Sequence, residues 1–411
     1  MAAVKRRRAA QGEVDSREAW NRLVVALLLS TIGGVGMWSV VVALPAAQVE
    51  FGVARGSASL PYTLTMIGFG VSSILMGRLS DRFGIIVPVV LGTLALAAGY
   101  VAAASSSGLT QYALAHGLLI GFGSAATFAP LLAHMSLWFA RRRGIAIGIF
   151  ASGNYLAGTV WPPIVAHYIG TDGWRDTYYG IAVFVLVAML PLAFWLRRRP
   201  PHVDAGSPAG AAVPSTSSLG LSPSALQKLL IVAGVCCCVA MSMPQVHLVA
   251  YCGDLGYGAA RGAQMLSLML ACGIVSRLTF GVICDRIGGL RTLLLGSALQ
   301  GLALFLFLPF DGLVSLYVIS ALFGLFQGGI VPSYAIIVRE FFPPREAGAR
   351  VGIVITATLF GMALGGWMSG AIFDITGSYR AAFVNGILFN LVNVSIACWL
   401  LRRSLPRPAL A

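Results

Sequence analysis

GRLSDRFG at residues 77–84 returns as GVICDRIG at residues 281–288, 204 positions later. Both copies have Gly at the first and last positions and Asp-Arg at the fifth and sixth. Other glycine pairs keep nearly the same offset: Gly52 and Gly256, Gly148 and Gly352, Gly158 and Gly361. A repeat of this length indicates two halves of similar structure rather than a solenoid of short units.

The segments around the two copies are too apolar for a soluble protein. The 411 residues are 58% hydrophobic and 10% charged, with a mean hydropathy of +0.85, whereas soluble domains carry about 25% charged residues. Helices can cross a hydrocarbon core of roughly 30 Å because they satisfy their backbone hydrogen bonds internally. We therefore predict an all-α membrane protein with twelve transmembrane helices, at 23–47, 60–77, 85–105, 112–138, 145–169, 177–196, 229–252, 263–283, 290–309, 313–338, 350–372 and 380–401.

The basic residues predict the orientation of these helices. Lys and Arg are retained on the cytoplasmic side of a membrane, and all but five of the 28 fall on one side of the predicted spans. Both termini are therefore predicted to be cytoplasmic. The net charge of +14 then faces anionic lipid headgroups, so we expect the lipid bilayer, and no nucleic acid, as its partner. The exceptions are Arg55, Arg175, Arg261, Arg380 and Arg277.

The repeat and the predicted spans divide the chain into five segments. The linker between the halves is rich in Pro, Gly, Ala and Ser and cannot bury itself, so we expect it to be flexible. Two parallel six-helix repeats are an architecture of secondary transporters. The predicted segments are a cytoplasmic tail (1–22), a six-helix half (23–196), a cytoplasmic linker (197–228), a second six-helix half (229–401) and a cytoplasmic tail (402–411).

The repeated Gly-x-x-x-Asp-Arg-x-Gly pattern resembles the loop motif of the major facilitator superfamily (MFS). Within that superfamily, WFARRRGIAIGIFASGNYLAG at 138–158 and the segment 244–289 are similar to bacterial members of the monocarboxylate porter and oxalate–formate antiporter group. The resemblance implies the MFS fold, transport of a mono- or dicarboxylate and a bacterial cytoplasmic (inner) membrane. We expect no enzymatic activity, no cofactor and no metal site.

One arginine, Arg277, interrupts the eighth predicted helix and is the main candidate for substrate binding. At 1.5 Å per residue it lies roughly 12 Å from the Asp285 end, where a charge costs about 2.5 kcal/mol or more unless it faces a cavity or a partner. None of the 14 acidic residues falls at mid-membrane in the predicted spans. We expect a substrate carboxylate to meet the planar guanidinium through two parallel hydrogen bonds. The alternative is that Arg277 snorkels to the interface.

Other residues at mid-depth complete the predicted substrate site. His247 follows Pro244 in the seventh predicted helix and is a candidate to carry a coupled proton, with a purely structural histidine as the alternative. Polar and aromatic side chains on other helices can contact substrate, or can instead only join helices. They are Asn154, Gln327, Tyr251, Tyr155 and Trp38.

The repeated motif is also predicted to act as a conformational latch, mainly on the strength of the resemblance. Asp81 and Asp285 can accept hydrogen bonds from helix starts and cytoplasmic arginines in one state and release them in another. The alternative is that the glycines only permit tight turns while the charges are solvated. The latch residues are Gly77, Asp81, Arg82, Gly84, Gly281, Asp285, Arg286 and Gly288.

These features together predict a monomeric secondary active transporter for a small organic anion, working by alternating access. The resemblance favours proton symport, with His247 or Asp254 as proton carrier, while anion exchange of the oxalate–formate type and uniport stay open. A non-transporting membrane sensor or scaffold is the alternative from another class. An ATP-driven pump is not expected, because the chain contains no GxxxxGK[ST] phosphate loop.

Overall fold

The computed structural model describes residues 14–139, 141–197 and 220–404, with only the backbone described for residues 143, 144, 344 and 345. The described residues form helices and no β-strand, which confirms the all-α fold class. Most of both predicted tails and most of the predicted linker lie outside the described residues.

The helices up to residue 197 include several short ones, and three of the predicted spans, the first, fourth and fifth, are interrupted. The fourth predicted span forms α6, a single π-helical turn (His116–Ile120), α7 and α8. In chain order the helices are α1 (Arg17–Gly33), α2 (Val35–Phe51), α3 (Arg55–Ala58), α4 (Leu60–Phe83), α5 (Ile86–Ala104), α6 (Leu109–Ala115), α7 (Gly121–Ala126), α8 (Ala129–Ser136), α9 (Arg143–Ala151), α10 (Gly153–Asp172) and α11 (Trp174–Trp195).

The helices from residue 220 onward are longer and less often broken. The first of them starts six residues before its predicted span, with Ser222 as an N-cap whose side chain accepts from the amide of Ala225. In chain order they are α12 (Pro223–Asp254), α13 (Ala259–Ile287), α14 (Gly289–Leu306), α15 (Leu313–Gln327), α16 (Ile330–Phe341), α17 (Pro344–Thr376) and α18 (Tyr379–Ser404).

Eleven helical segments among the described residues are long and apolar enough to cross a membrane, compared with twelve predicted spans. The difference lies at 145–169, which the structure divides between α9 and α10. Helix α9 has nine residues, and α10 carries Pro162 and Pro163 together with polar residues, so neither forms a long apolar run. The multi-pass membrane architecture is confirmed, and the count of twelve stays a prediction.

The described residues form two compact units. The first comprises residues 14–53 and 58–197, and the second comprises Ala54–Ser57 together with residues 220–404. The tetrapeptide Ala54–Ser57 therefore belongs to the second unit, although its neighbours in the sequence on both sides belong to the first.

The two copies of the repeated motif end their helices in the same way. Helices α4 and α13 are followed by Gly84 and Gly288, each with φ of +81°, a conformation that residues with a Cβ rarely adopt. Both helices extend beyond the predicted spans 60–77 and 263–283, so Asp81 and Asp285 lie at helix ends rather than in loops. Both lie in the last helical turn, because glycine rather than Asp-Arg terminates each helix.

Glycines allow close helix packing inside each unit. A Cβ on Gly68 of α4 would overlap the carbonyl oxygen of Gly117 in the π-helical turn. In the second unit, a Cβ on Gly324 of α15 would overlap the carbonyl oxygen of Met269 in α13. Small residues at such crossings let helix backbones approach closely in membranes.

Candidate functional site

Arg277 lies on the buried side of α13. Gly273 and Phe280, about one turn before and after it on the same face, are buried, whereas Val275 and Leu278 are each 55% exposed on the other side of the helix. Arg277 is half-buried, and its Nε is shielded from solvent. The side chain therefore does not belong to the exposed apolar face of this candidate membrane span.

Gln327 lies on the neighbouring helix at the level of Arg277. The Ser276 hydroxyl of α13 accepts from the amide of Gly328, just after α15, at 3.1 Å, which brings the adjacent residues Arg277 and Gln327 to the same depth. The Gln327 side chain is fully buried, and its Oε1 accepts from Gln245 Nε2 at 2.9 Å. Gln245 is a polar neighbour that the sequence analysis missed.

His247 is fully buried in α12 between two hydrogen-bond partners. Its Nε2 lies 2.7 Å from the carbonyl oxygen of Gly366, and its Nδ1 lies 2.9 Å from the Tyr379 hydroxyl. A carbonyl oxygen can only accept, so Nε2 carries the proton of the neutral ring, and Nδ1 accepts from the tyrosine. This geometry serves a structural histidine or a proton carrier equally well.

The Tyr379 hydroxyl connects His247 to an ion pair that the sequence analysis did not predict. Arg55 donates from NH1 to this hydroxyl at 2.9 Å. It also donates from NH1 and NH2 to the two carboxylate oxygens of Asp254 at 2.7 and 3.1 Å. We call His247, Tyr379, Arg55 and Asp254, together with Asp374, the Arg55 cluster.

Asp374 binds the backbone of the Arg55 segment. Its two carboxylate oxygens accept from the amides of Arg55 and Gly56, each at 2.7 Å, and the Arg55 guanidinium lies 4.5 Å from the Phe373 ring centroid. The Arg55 Nε is nevertheless buried with no hydrogen-bond partner among the described residues, which costs about 1–3 kcal/mol. Several hydrogen bonds thus hold the Arg55 segment, and the buried Nε, without a partner in the described part of the chain, is the one unfavourable feature.

Tyr251 packs beside the Arg55 cluster. It is half-buried and makes edge contacts with Tyr379 and Phe383 at centroid distances of 5.5 and 5.6 Å. Two of the predicted substrate contacts in the second unit, His247 and Tyr251, therefore both adjoin Tyr379.

In the first unit, the structure brings Trp38 and Asn154 together. The Trp38 indole nitrogen donates to the backbone carbonyl of Asn154 at 3.3 Å, and Trp38 and Tyr155 are both buried. Asn154 also lines a small pocket within this unit. We call it the serine pocket; its other lining residues are Ser30, Gly34, Met37, Phe69, Ser124, Thr127 and Phe128.

The serine pocket contains two hydroxyl groups with unused hydrogen-bonding capacity. Ser30 and Ser124 are almost fully buried, and among the described residues neither Oγ has a hydrogen-bond partner. Buried polar groups normally have one. This pocket can therefore hydrogen-bond a small polar group or water.

The predicted latch residues lie at the ends of α4 and α13. Asp81 and Asp285 are exposed, and neither carboxylate accepts a hydrogen bond or forms an ion pair with a described residue. The helix-start contact predicted for Asp285 is made by Glu340 of α16 instead, which accepts from the amide of Gly289 at 3.0 Å. The latch role stays a prediction, and Glu340 is a candidate partner that the sequence analysis missed.

Comparison with known proteins identifies the family to which this helical architecture and repeated motif belong. The sequence profile of the Major Facilitator Superfamily matches residues 26–315 and 265–410. The chain belongs to this superfamily. It is 29% identical over 333 residues to monocarboxylate transporter 13 of Rattus norvegicus, covering 80% of this chain and 75% of that protein. It is 25% identical over 307 residues to the MFS-type transporter pynF of Aspergillus niger, covering 74% and 69%.

Solved MFS structures share the fold at low sequence identity. A mutant form of the nucleoside transporter NupG superposes with a TM-score of 0.74 and 13% identity, over 93% of this chain and 99% of that chain. A bacterial homologue of the lysosomal transporter Spinster, in an inward-facing and occupied conformation, gives 0.68 and 14%, over 95% and 96%. The resemblance that the repeated motif indicated is confirmed, and this MFS protein is a transporter.

Proposed function

We propose that this MFS transporter moves a small organic anion, a mono- or dicarboxylate, by alternating access, with Arg277 as its anion site. The observation that carries the proposal is a guanidinium on the buried side of a candidate membrane span. Arginine stays protonated at biological pH and binds a carboxylate through a planar fork. The rat relative, named a monocarboxylate transporter, supports the same substrate class.

The location of Arg277 on its helix argues against snorkelling. A snorkelling side chain lies along apolar surface that faces lipid, whereas Arg277 is half-buried on a face that also carries the buried residues Gly273 and Phe280. Gln327 at the same depth adds an amide donor, because its Nε2 has no hydrogen-bond partner among the described residues. A carboxylate bound to the guanidinium would find this donor on the neighbouring helix.

The serine pocket lies within the first unit and offers uncharged hydrogen-bonding groups. Hydroxyl and amide groups of Ser30, Ser124 and Asn154 can bind polar substrate atoms without adding charge. We propose that they recognise oxygen atoms of the acid.

The coupling that we propose is proton symport, with His247 as the proton carrier. Its neutral ring already has both nitrogens in hydrogen bonds, so adding a proton must change the contact at Nδ1. Anion exchange predicts instead that transport depends on a second anion inside the vesicle and not on the pH difference.

Uptake by reconstituted proteoliposomes tests the function. We expect accumulation of at least one acid from a panel of labelled mono- and dicarboxylates when the medium is more acidic than the vesicle interior, and loss of accumulation when the pH gradient is abolished. The substitution Arg277→Lys tests the anion site, because it keeps the charge and removes the planar fork. Its matched control is Arg261→Lys, on an exposed residue of the same helix. Uptake that ignores the gradient and requires internal acid would establish exchange, and no uptake of any acid by folded protein would refute the proposed function.

A further inference from the structure

The Arg55 cluster is a directed chain of hydrogen bonds. Arg55 donates to the Tyr379 oxygen, and Tyr379 donates its single hydroxyl proton to Nδ1 of neutral His247. The opposite ring nitrogen is fixed as a donor by the Gly366 carbonyl. The donors and acceptors of these groups fit together in only one arrangement. A change in the protonation of His247 therefore reaches Arg55 through the hydroxyl oxygen of Tyr379.

Protonating His247 is incompatible with this arrangement. A histidinium donates from both nitrogens, so the Tyr379 oxygen would receive N–H groups from His247 and Arg55 at once, while its own proton would lose its acceptor. Two cations would then share one buried hydroxyl, where the local dielectric is low and like charges repel strongly. The contact between Arg55 and Tyr379 is therefore weakened when His247 is charged.

Three charged groups lie around His247. Arg55 shares the Tyr379 hydroxyl with the ring, and the carboxylates of Asp254 and Asp374 bind the side chain and the backbone of Arg55. Tyr379 on α18 contacts the ring directly, and Tyr251, four residues along α12, is neutral. One guanidinium and two carboxylates thus lie around the proton that His247 would bind.

Arg55 matters because it holds Ala54–Ser57 in the second unit. Its guanidinium binds Asp254, and the backbone beside it binds Asp374. The residues before and after the tetrapeptide belong to the first unit. Weakening the contacts of this one side chain therefore weakens the attachment of the whole tetrapeptide.

The internal repeat supplies Asp254 with a second arginine. Asp254 follows Glu50 by 204 positions, the offset of the repeated motif, and in the first unit Glu50 binds Arg175 at 2.6 Å. The counterpart of Arg175 is Arg380, 205 positions later, which is exposed and has no ion pair among the described residues. Asp254 can thus exchange Arg55 for the partner that the repeat predicts.

We propose that His247 is a proton-binding site whose occupation releases Ala54–Ser57 from the second unit, with Asp254 exchanging Arg55 for Arg380. This deepens the proposed function, on which it rests for the place of the release in a transport cycle. The release itself requires only a proton, and no solute.

Hydrogen–deuterium exchange of the purified full-length protein measures the release directly. The amides of Arg55 and Gly56 are protected by Asp374, so their exchange reports attachment of the tetrapeptide. After correction for intrinsic chemical exchange, we expect it to rise at least tenfold from pH 7.5 to pH 5.5. His247→Gln should abolish this pH response.

His116→Gln is the matched control. His116 is equally buried in the first unit, with Nδ1 2.9 Å from the Tyr112 carbonyl oxygen and Nε2 3.4 Å from the Tyr178 hydroxyl, and its replacement should leave the response intact. Tyr379→Phe keeps the ring but removes the connecting hydroxyl. It should raise exchange at pH 7.5 and reduce the pH response, which keeps the test decisive if His247→Gln fails to fold.

Three results would overturn the proposal: equal corrected exchange at both pH values in the wild type, a full response in folded His247→Gln, or loss of the response in His116→Gln. Uptake assays on the same preparation separate this proposal from the proposed function. A pH response without transport of any acid would refute the function alone, and carboxylate transport without the response would refute the proton-controlled release alone.

Discussion

Arg277→Lys is the sharpest test of the anion site, because it keeps the charge and removes the geometry. An ammonium group is a compact point charge that cannot reproduce two parallel N–H···O bonds to one carboxylate. Lysine also has the flexible stem that snorkelling requires. The two interpretations of Arg277 therefore predict opposite outcomes for the same substitution.

The expected loss follows from the partial burial of Arg277. The side chain is half-buried, with its Nε shielded from solvent, so a bound carboxylate would be only partly screened by water. Losing one hydrogen bond to a charged group costs about 1.5–3 kcal/mol. Since about 1.4 kcal/mol corresponds to tenfold, substrate affinity should fall by roughly ten- to a hundredfold, and Arg277→Ala should lose more.

Substrate affinity is measured by concentration-dependent uptake into proteoliposomes, with the amount of folded protein determined for each variant. Arg261→Lys makes the same chemical change on the exposed start of α13 and should match the wild type. If Arg277→Lys also shows wild-type affinity and transport rate, Arg277 is not the anion site.

Three further predictions concern the latch, the serine pocket and the packing of the second unit. Asp285→Asn should slow turnover in uptake assays with little change in apparent affinity, because the carboxylate lies at the end of α13 away from the proposed anion site; unchanged turnover with weakened affinity would contradict the latch. Ser124→Ala should reduce the affinity for the transported acid by about tenfold or less, the value of one neutral hydrogen bond, without lowering the melting temperature, since the hydroxyl has no partner to lose among the described residues; a lowered melting temperature would indicate a structural role. Gly324→Ala should destabilise the protein by about 1–3 kcal/mol in thermal unfolding, because the added methyl group overlaps the carbonyl oxygen of Met269. Gly348→Ala, where a Cβ meets open space, is the control and should be neutral or slightly stabilising.

The features that the sequence predicted well are periodic or repeated. Apolar runs predicted an all-α membrane protein, and the 204-residue offset predicted two halves of similar structure. In agreement with that repeat, Gly84 and Gly288 follow their helices with the same backbone conformation. Prediction was poorer where a run is short or mixed. The span at 145–169 contains Asn154, Pro162 and Pro163, and the structure divides it into two helices, because the hydropathy of the sequence does not show where a helix breaks.

The Arg55 cluster could not be predicted, because its residues are joined only by the tertiary structure. Arg55 and Asp254 are 199 residues apart, and in the sequence each looks like a solvated charge beside a predicted span. The same holds for Glu340, which takes the place beside Gly289 that the motif suggested for Asp285. A polar side chain near the end of an apolar run has many partners within reach, and the sequence does not choose among them.

The ion pair of Asp254 in the Arg55 cluster departs from the pattern of the internal repeat. Glu50 binds Arg175 within the first unit, whereas its counterpart Asp254 binds Arg55, which the repeat does not supply. The contacts that hold Ala54–Ser57 are made by residues at the ends of α12, α17 and α18. These contacts can therefore break without separating the buried faces that stabilise the interior of either unit. Exchange of the Arg55 and Gly56 amides should accordingly be far faster than exchange of amides inside α12, and equal rates would mean that the tetrapeptide opens only when the whole unit unfolds.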